Sequence, residues 1–218
     1  MNINEKNTAV KEKREYILIT LNVLIVIFVL IGTIVMLNNH DSATGLTSEG
    51  IENFKYFTVL SNVFCGIVAA FFLILKFKNK QLNILVKLMA ASATGLTFII
   101  IAAFLQPLYP DLNLYKGGNL FFHLIVPIIA MIEFVLIKTE QIPFGYTFLS
   151  AVLALVYGTG YCMNILINGK GVWPDTNDWY GFLNWGWPVG IAIFAFVVLM
   201  DWIMACLLRF LNKIIGRR

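Results

Sequence analysis

Apolar runs alternate with short polar segments along most of this chain. The runs lie at about 15–37, 56–76, 83–107, 119–138, 145–167 and 186–209. Each run is long enough to cross about 30 Å of hydrocarbon at a rise of about 1.5 Å per residue. Because backbone groups in hydrocarbon must be paired within their own segment, the pattern predicts an all-α integral membrane bundle of six transmembrane helices. The runs use nearly all of residues 1–218, which predicts a single domain.

The composition agrees with this pattern. Hydrophobic residues make up 59% of the chain and charged residues 13%, which excludes an ordinary soluble domain. The first run follows several basic residues, as a signal peptide would. Its length and the five further runs favour an uncleaved membrane anchor.

Lysine and arginine are distributed unequally between the two sides of the predicted bundle. One side has 13 of the 16 basic residues: Lys6, Lys11, Lys13, Arg14, Lys76, Lys78, Lys80, Lys87, Lys138, Arg209, Lys213, Arg217 and Arg218. The other side has Lys55, Lys116 and Lys170. Because basic loops stay in the cytoplasm, both termini are expected to be cytoplasmic. The net charge of +4 reflects this topology, and no nucleic-acid partner is expected.

A stripe of polar residues opens the second run. Thr58, Ser61, Asn62 and Cys65 fall at i, i+3, i+4 and i+7, so they share one face of a helix whose other faces are apolar. Such a face is expected to look into protein and not into lipid.

His123 is the only histidine inside an apolar run. It enters the fourth span from the outer side, as Thr58 enters the second, so each is expected about one turn below the outer interface, at ~6 Å. Further polar residues lie in the outer halves of the third and fifth spans: Gln106, Tyr157, Tyr161 and Asn164. This convergence predicts a cavity that opens to the outer leaflet or to external water.

Two of these features have simpler explanations. The hydroxyl of a threonine in a membrane helix often donates to the backbone carbonyl one turn earlier, which would give Thr58 a structural role. An ionisable residue such as His123 in a membrane helix is more often functional. The third external loop, 168–185, places tryptophan and tyrosine around Asp175 and Asp178. It is either an aromatic belt at the headgroup level or a lid over a pocket, and spacing does not separate the two.

Glu133 and Asp201 are acidic residues inside predicted spans. Both are expected at ~21 Å from the outer ends, in the inner half of the membrane. Ten α-helical residues turn Glu133 ~80° from the His123 face. Asp201 is expected to snorkel or to pair with lysine or arginine at the inner interface.

Other motifs add little to the functional picture. The three cysteines lie in separate spans without a CxxC pair and are expected to be small buried residues. GxSxG, HExxH and P-loop patterns do not occur, and no metal or cofactor is expected. Gly158 and Gly160, with Ala91 and Gly95, are expected to allow close helix packing.

The run FKYFTVLSN, followed some sixty residues later by NLFFHLIVPIIAMIEF, resembles the androgen-induced gene product family, which includes the androgen-dependent regulator of tissue factor pathway inhibitor. The resemblance covers about residues 15–209. Leu120 and the position of Pro127 are more similar to the related Pr6Pr-type branch. The animal proteins are six-span hydrolases of fatty acid esters of hydroxy fatty acids with an essential threonine and histidine. The resemblance assigns these roles to Thr58 and His123.

The sequence therefore supports the hypothesis of a hydrolase of lipid-like esters in the cell membrane. Thr58 would be the nucleophile and His123 the general base. Candidate substrate or oxyanion-binding residues are Asn62, Ser61, Gln106, Tyr161 and Asn164. The alternative is a carrier or lipid-binding protein that uses the same polar layer without bond cleavage, in which Glu133 or Asp201 would carry protons. A structural or interaction protein is a third possibility, and the oligomeric state stays open.

Overall fold

A computed structural model describes residues 3–38, 50–111, 113–139, 141–172 and 175–216, with side chains described from residue 12 onward. Several residues of the predicted topology lie outside the described structure or have no described side chain. These are most of the first external loop, Trp173, the side chains of Lys6 and Lys11, and the C-terminal Arg217 and Arg218.

Six long helices form the protein. They are α1 (Ile3–Leu37), α2 (Phe57–Phe77), α3 (Ile84–Leu108), α4 (Gly118–Leu136), α5 (Gly145–Asn168) and α6 (Trp187–Gly216). All six contain a stretch long and apolar enough to cross a membrane. The all-α, multi-pass prediction is confirmed. The predicted spans agree with the helices to within two residues, except that α1 begins at Ile3 instead of about 15 and α6 ends at Gly216 instead of about 209. Two short 3₁₀ helices, Gly50–Lys55 and Phe182–Trp185, precede α2 and α6.

The third helix is the centre of the bundle. It packs against α2, α4, α5 and α6, while α1 packs against α2 and α4. In the most apolar stretch of α3, 56% of the residues are buried inside the bundle, compared with 22% in α1 and in α6. Its run of small residues between Ala90 and Gly95 explains this position, because small side chains let neighbouring backbones approach closely.

The bundle has two distinct ends. The loops before α2, between α3 and α4 and between α5 and α6 lie at one end, which we call the long-loop end; the connections α2–α3 and α4–α5 lie at the short-loop end. At the short-loop end the Arg14 guanidinium donates to the Gly216 carbonyl at 2.8 Å, and Lys76 pairs with Glu15 at 2.7 Å. The beginning of α1 and the end of α6 therefore share one face, as six spans require. That this face is cytoplasmic stays a prediction.

Glycine allows close helix contacts at some of the predicted positions. A Cβ atom on Gly158 would lie 1.8 Å from the Phe194 ring, and one on Gly95 would lie 3.0 Å from Met204. The prediction for these two glycines is confirmed. It is wrong for Gly160, which has open space where a Cβ would stand, because this residue faces away from the bundle.

Three helices contain a π turn: Ile101–Leu105 in α3, Phe121–Ile125 in α4 and Asn212–Gly216 at the end of α6. In α4 the turn contains His123 and is followed by Pro127, which has no amide hydrogen for the His123 carbonyl. A π turn contains one residue more than an α-helical turn. The side chains after it therefore point in other directions than in an unbroken α-helix. The expected ~80° between His123 and Glu133 assumed an unbroken α-helix and did not allow for this turn.

Candidate functional site

Asn62 joins α2 and α4 near the long-loop end. Its amide nitrogen donates to the Thr58 carbonyl at 2.7 Å and to the Phe122 carbonyl at 2.9 Å. The first bond lies within α2, one turn back, and the second crosses to α4. The fully buried Asn62 side chain thus connects the backbone of Thr58 to that of the residue before His123.

The rest of the predicted stripe also faces protein. Ser61, Asn62 and Cys65 are buried, and Thr58 is half-buried. The Ser61 hydroxyl lies 3.2 Å from that of Thr97 on α3, so α2 has polar contacts with two neighbouring helices. Ser61 is therefore engaged in helix packing.

His123 is held by the loop between α3 and α4. Its Nδ1 atom lies 2.5 Å from the carbonyl oxygen of Leu114, and both residues are buried. A carbonyl only accepts, so Nδ1 must carry the hydrogen. In the neutral ring Nε2 then has the free lone pair that a general base needs.

The two residues of the predicted catalytic pair lie on adjacent elements without bonding directly. Thr58 is the second residue of α2 and His123 the sixth of α4. Among the contacts that the structure describes, no hydrogen bond joins their side chains. An approach through one water molecule or one substrate atom stays a prediction.

The loop between α5 and α6 covers the start of α2. The Tyr180 hydroxyl accepts from the backbone N–H of Phe57 at 2.8 Å, next to Thr58. Tyr157 of α5 donates to the Lys55 carbonyl at 2.5 Å and lies 3.4 Å from the Tyr180 hydroxyl. Burial holds the pKa of Tyr180 well above its usual range, so this hydroxyl stays uncharged. We call residues 175–186 the covering loop.

An acidic residue fixes the covering loop on α5. The buried Asp178 carboxylate accepts from the Tyr161 hydroxyl and from the Leu183 N–H at 3.0 Å, and Lys170 lies 3.7 Å away. Asn164 donates to Asn177 at 3.1 Å. The polar face of α5 therefore holds this loop and does not reach across to His123.

The aromatic residues of this loop divide into two groups. Trp179 donates its indole N–H to Tyr157 at 3.1 Å, and Tyr180 stacks on Phe182. Trp185 instead is 69% exposed, as a headgroup-level residue would be. Trp179 and Tyr180 thus pack inward and Trp185 outward, while the choice between a lid and an aromatic belt stays a prediction.

The predicted oxyanion donors are occupied in this arrangement. Both amide hydrogens of Asn62 bind backbone carbonyls, and the single hydroxyl hydrogen of Tyr161 goes to Asp178. The free polar atom of Asn62 is its oxygen, which is buried without a hydrogen bond and can only accept. Gln106 is half-buried just after the π turn of α3, and its part in a site stays a prediction.

Glu133 belongs to a second group of polar residues, toward the short-loop end. Lys87 of α3 lies 2.9 Å from the Glu133 carboxylate and donates to Asn22 of α1 at 2.5 Å, and Asn22 donates to Glu133 at 2.8 Å. All three residues are buried. We call Asn22, Lys87 and Glu133 the polar centre.

The polar centre corrects the sequence analysis at one point. Lys87 was counted with the cytoplasmic basic residues, but it is 4% exposed and lies inside α3. The basic asymmetry is therefore 12 to 3, which leaves the predicted orientation unchanged. Asn22 and Lys87 were not recognised as site residues. The available signal was that each is a polar residue within an apolar run, as Glu133 is.

The expectation for Asp201 is wrong. Its side chain neither snorkels nor pairs with a basic residue, since it is fully buried and neither carboxyl oxygen makes a hydrogen bond. A single helix does not show which neighbour will cover a residue, and here α3 covers Asp201 with its small side chains.

Comparison with protein-family models, with curated proteins and with solved structures finds no match for this chain.

Proposed function

We propose that the protein is a membrane-embedded hydrolase of lipid-like esters, with Thr58 as the nucleophile and His123 as the general base. The observation that carries the proposal is the Asn62 amide, which hydrogen-bonds both the Thr58 carbonyl and the carbonyl next to His123. The family resemblance gives the substrate class, fatty acid esters of hydroxy fatty acids. We place the protein in the plasma membrane on the same basis.

Two further features suit these roles. The Leu114 carbonyl keeps the Nδ1 hydrogen on His123 and leaves Nε2 able to accept a proton. Thr58 lies in the first turn of α2, where the helix dipole favours negative charge. This position would help to stabilise an alkoxide or a tetrahedral oxyanion.

The reaction would proceed in two steps. Thr58 Oγ attacks the ester carbonyl carbon while its proton moves to His123 Nε2, and the leaving alcohol then takes that proton. Water then attacks the acyl-threonine while its proton moves to His123 Nε2; the fatty acid is released and Thr58 Oγ takes that proton back.

Asn62 and Tyr161 have no donor hydrogen free. Of the first-turn backbone N–H groups of α2, those of Phe57, Val59 and Leu60 are already hydrogen-bonded, so the Thr58 N–H would have to hold the oxyanion.

A fluorophosphonate probe tests the nucleophile directly. The purified protein in detergent is expected to carry the covalent label on Thr58, located by mass spectrometry of its peptides. Thr58→Ala should lose the label and ester cleavage, whereas Thr58→Ser should retain both in part. The matched control is Thr159→Ala, which removes an exposed hydroxyl bonded to the Leu155 carbonyl of its own helix.

His123→Ala is expected to reduce ester cleavage nearly as much as Thr58→Ala, because members of one catalytic unit act non-additively. The Thr58→Ala protein should stay folded, since one hydrogen bond typically contributes about 1 kcal/mol. Wild-type turnover by a folded Thr58→Ala protein would disprove the hydrolase mechanism. The carrier or lipid-binding alternative would then be the better supported function.

A further inference from the structure

Asp201 lies in the seam between α3 and α6, away from the proposed Thr58 and His123 site. It is fully buried, as is Ser92 on the facing helix. Ser92 is its polar neighbour, but the Ser92 hydroxyl donates to the Met89 carbonyl at 3.3 Å. Both carboxyl oxygens of Asp201 are without a hydrogen bond.

No charge compensates Asp201. Within the described part of the chain, the titratable side chains on the elements packed about it make no hydrogen bond or ion pair with its carboxyl group: Lys87, His123, Glu133, Tyr146, Tyr157, Tyr161, Cys162, Cys206, Arg209 and Lys213. Lys87 is used by Glu133, and Arg209 donates to the Ile142 carbonyl at 2.8 Å. An ionised carboxylate here would therefore have no partner.

Glu133 shows how this protein holds a carboxylate that is charged. Its oxygen receives hydrogen bonds from Lys87 and Asn22, whereas Asp201 receives none. Burying an isolated carboxylate costs many kcal/mol, and such a group takes up a proton instead. The two buried acidic residues within the described spans thus lie in opposite environments, since the Glu133 carboxylate has two donors and the Asp201 carboxyl has none.

We propose that Asp201 is a proton-binding site inside the membrane, whose neutral carboxyl group donates its hydrogen to the Ser92 hydroxyl across the α3–α6 seam. A protonated carboxyl supplies one donor, and the Ser92 oxygen can accept while its own hydrogen goes to Met89. The chain Asp201 to Ser92 to Met89 then gives the acid hydrogen and the Ser92 hydroxyl one partner each, and leaves only an uncharged carbonyl oxygen of Asp201 without a donor. This proposal does not depend on ester hydrolysis.

Infrared spectroscopy of the full-length protein in lipid tests the proposal. The wild type is expected to show the carbonyl stretching band of a protonated carboxylic acid in a dry site. The band should shift when the protein is made with ¹³C-labelled aspartate, and it should be missing from Asp201→Asn. Ser92→Ala should move the band to higher frequency, since its hydrogen-bond acceptor is lost. The matched control is Glu133→Gln, which should leave the band in place.

Two results would overturn the proposal. One is the absence of the acid band from the wild type. The other is a band that disappears in Glu133→Gln and stays in the aspartate-labelled sample. If Asp201→Asn does not fold, the isotope shift and the Ser92→Ala shift decide the question without it.

A hydrophobic carbodiimide gives an independent chemical readout. It reacts with protonated carboxyls: the acid hydrogen adds to one nitrogen and the carboxyl oxygen to the central carbon. The acyl group then moves to nitrogen and nothing leaves. Dicyclohexylcarbodiimide is expected to label Asp201 in membranes and to spare Glu133. Label on Glu133 with none on Asp201 would contradict the proposed difference between them.

Discussion

At the scale of single residues, the polar centre shows what a buried charge requires. Lys87 lies against Glu133, Asn22 and, at 4.5 Å, the ring of Phe72. Four helices therefore surround one ammonium group. Desolvation makes such a pair a weak source of stability, but loss of one partner leaves an uncompensated charge.

Removing one partner of the polar centre is expected to be costly. Lys87→Met should destabilise the protein by about 3–5 kcal/mol, whereas Lys87→Met combined with Glu133→Leu should recover most of this loss. Thermal unfolding in detergent measures both variants. The control is Lys76→Met, which breaks the exposed pair with Glu15 and should cost about 0–1 kcal/mol. Equal losses in the single and double variants would show that Glu133 is not held as a charged group.

Residue-level prediction succeeded for the face on which a side chain lies and not for its partner. Helical spacing correctly placed Ser61, Asn62 and Cys65 toward protein. It did not show that Asn62 would donate both amide hydrogens to backbone carbonyls. It also did not show that Lys87 would lie inside the bundle and pair with Glu133. Partners depend on how helices rotate and pack, and one helix does not contain that information.

At the scale of elements, π turns limited the sequence analysis. The length of the apolar runs located every span, because the thickness of the membrane sets how many apolar residues a spanning helix needs. The angle expected between His123 and Glu133 did not allow for the extra residue in the turn at Phe121–Ile125. Pro127 marks the place, but a proline alone does not distinguish a π turn from a simple kink.

Two glycines of α5 give a matched test of helix packing. Gly158→Ala should destabilise the protein, because a Cβ atom there would overlap Phe194, and overpacking typically costs about 1–3 kcal/mol. Gly160→Ala, two residues away, meets open space and should be neutral or stabilising by up to about 1 kcal/mol. Thermal unfolding of the two variants compares them. A larger loss for Gly160→Ala would contradict the packing of α5 on α6.

The covering loop should protect one backbone amide. Tyr180→Phe removes the acceptor of the Phe57 N–H, at a cost of about 0.5–1.5 kcal/mol. Hydrogen exchange at Phe57, followed by NMR, should become faster. Trp185→Phe, in an exposed part of the same loop, is the control and should leave that exchange unchanged. Unchanged exchange in Tyr180→Phe would show that this contact does not hold the loop on α2.

At the scale of the whole molecule, orientation in the membrane follows from charge and is tested by accessibility. With the three native cysteines replaced, a cysteine at Asp175 in the covering loop should react with a membrane-impermeant thiol reagent on intact cells. A cysteine at Asn79, exposed at the short-loop end, should react only after permeabilisation. The opposite pattern would place the Thr58 and His123 level on the cytoplasmic side.

The architecture was more predictable than the site. Length and hydropathy determine six spans, and an even number of spans brings Arg14 and Gly216 together. Which polar residues meet within the bundle depends on contacts between spans far apart in sequence, such as Tyr157 with Lys55 and Asn22 with Glu133. The outer cavity expected from the polar layer stays a prediction; in the structure Tyr161 and Asn164 of α5 bind the covering loop.

The order of the polar centre along the chain has a consequence for biogenesis. Asn22 is synthesised first, Lys87 second and Glu133 last. A lysine costs about 2.5–3.5 kcal/mol on insertion at the centre of a span and less near its end, where Lys87 lies. α3 enters the membrane before the carboxylate partner of Lys87 exists. Asn22, already present in α1, offers Lys87 a hydrogen-bond acceptor during this interval. Insertion of α4 then adds a charged partner to the neutral one, so this helix completes the assembly of the three that precede it.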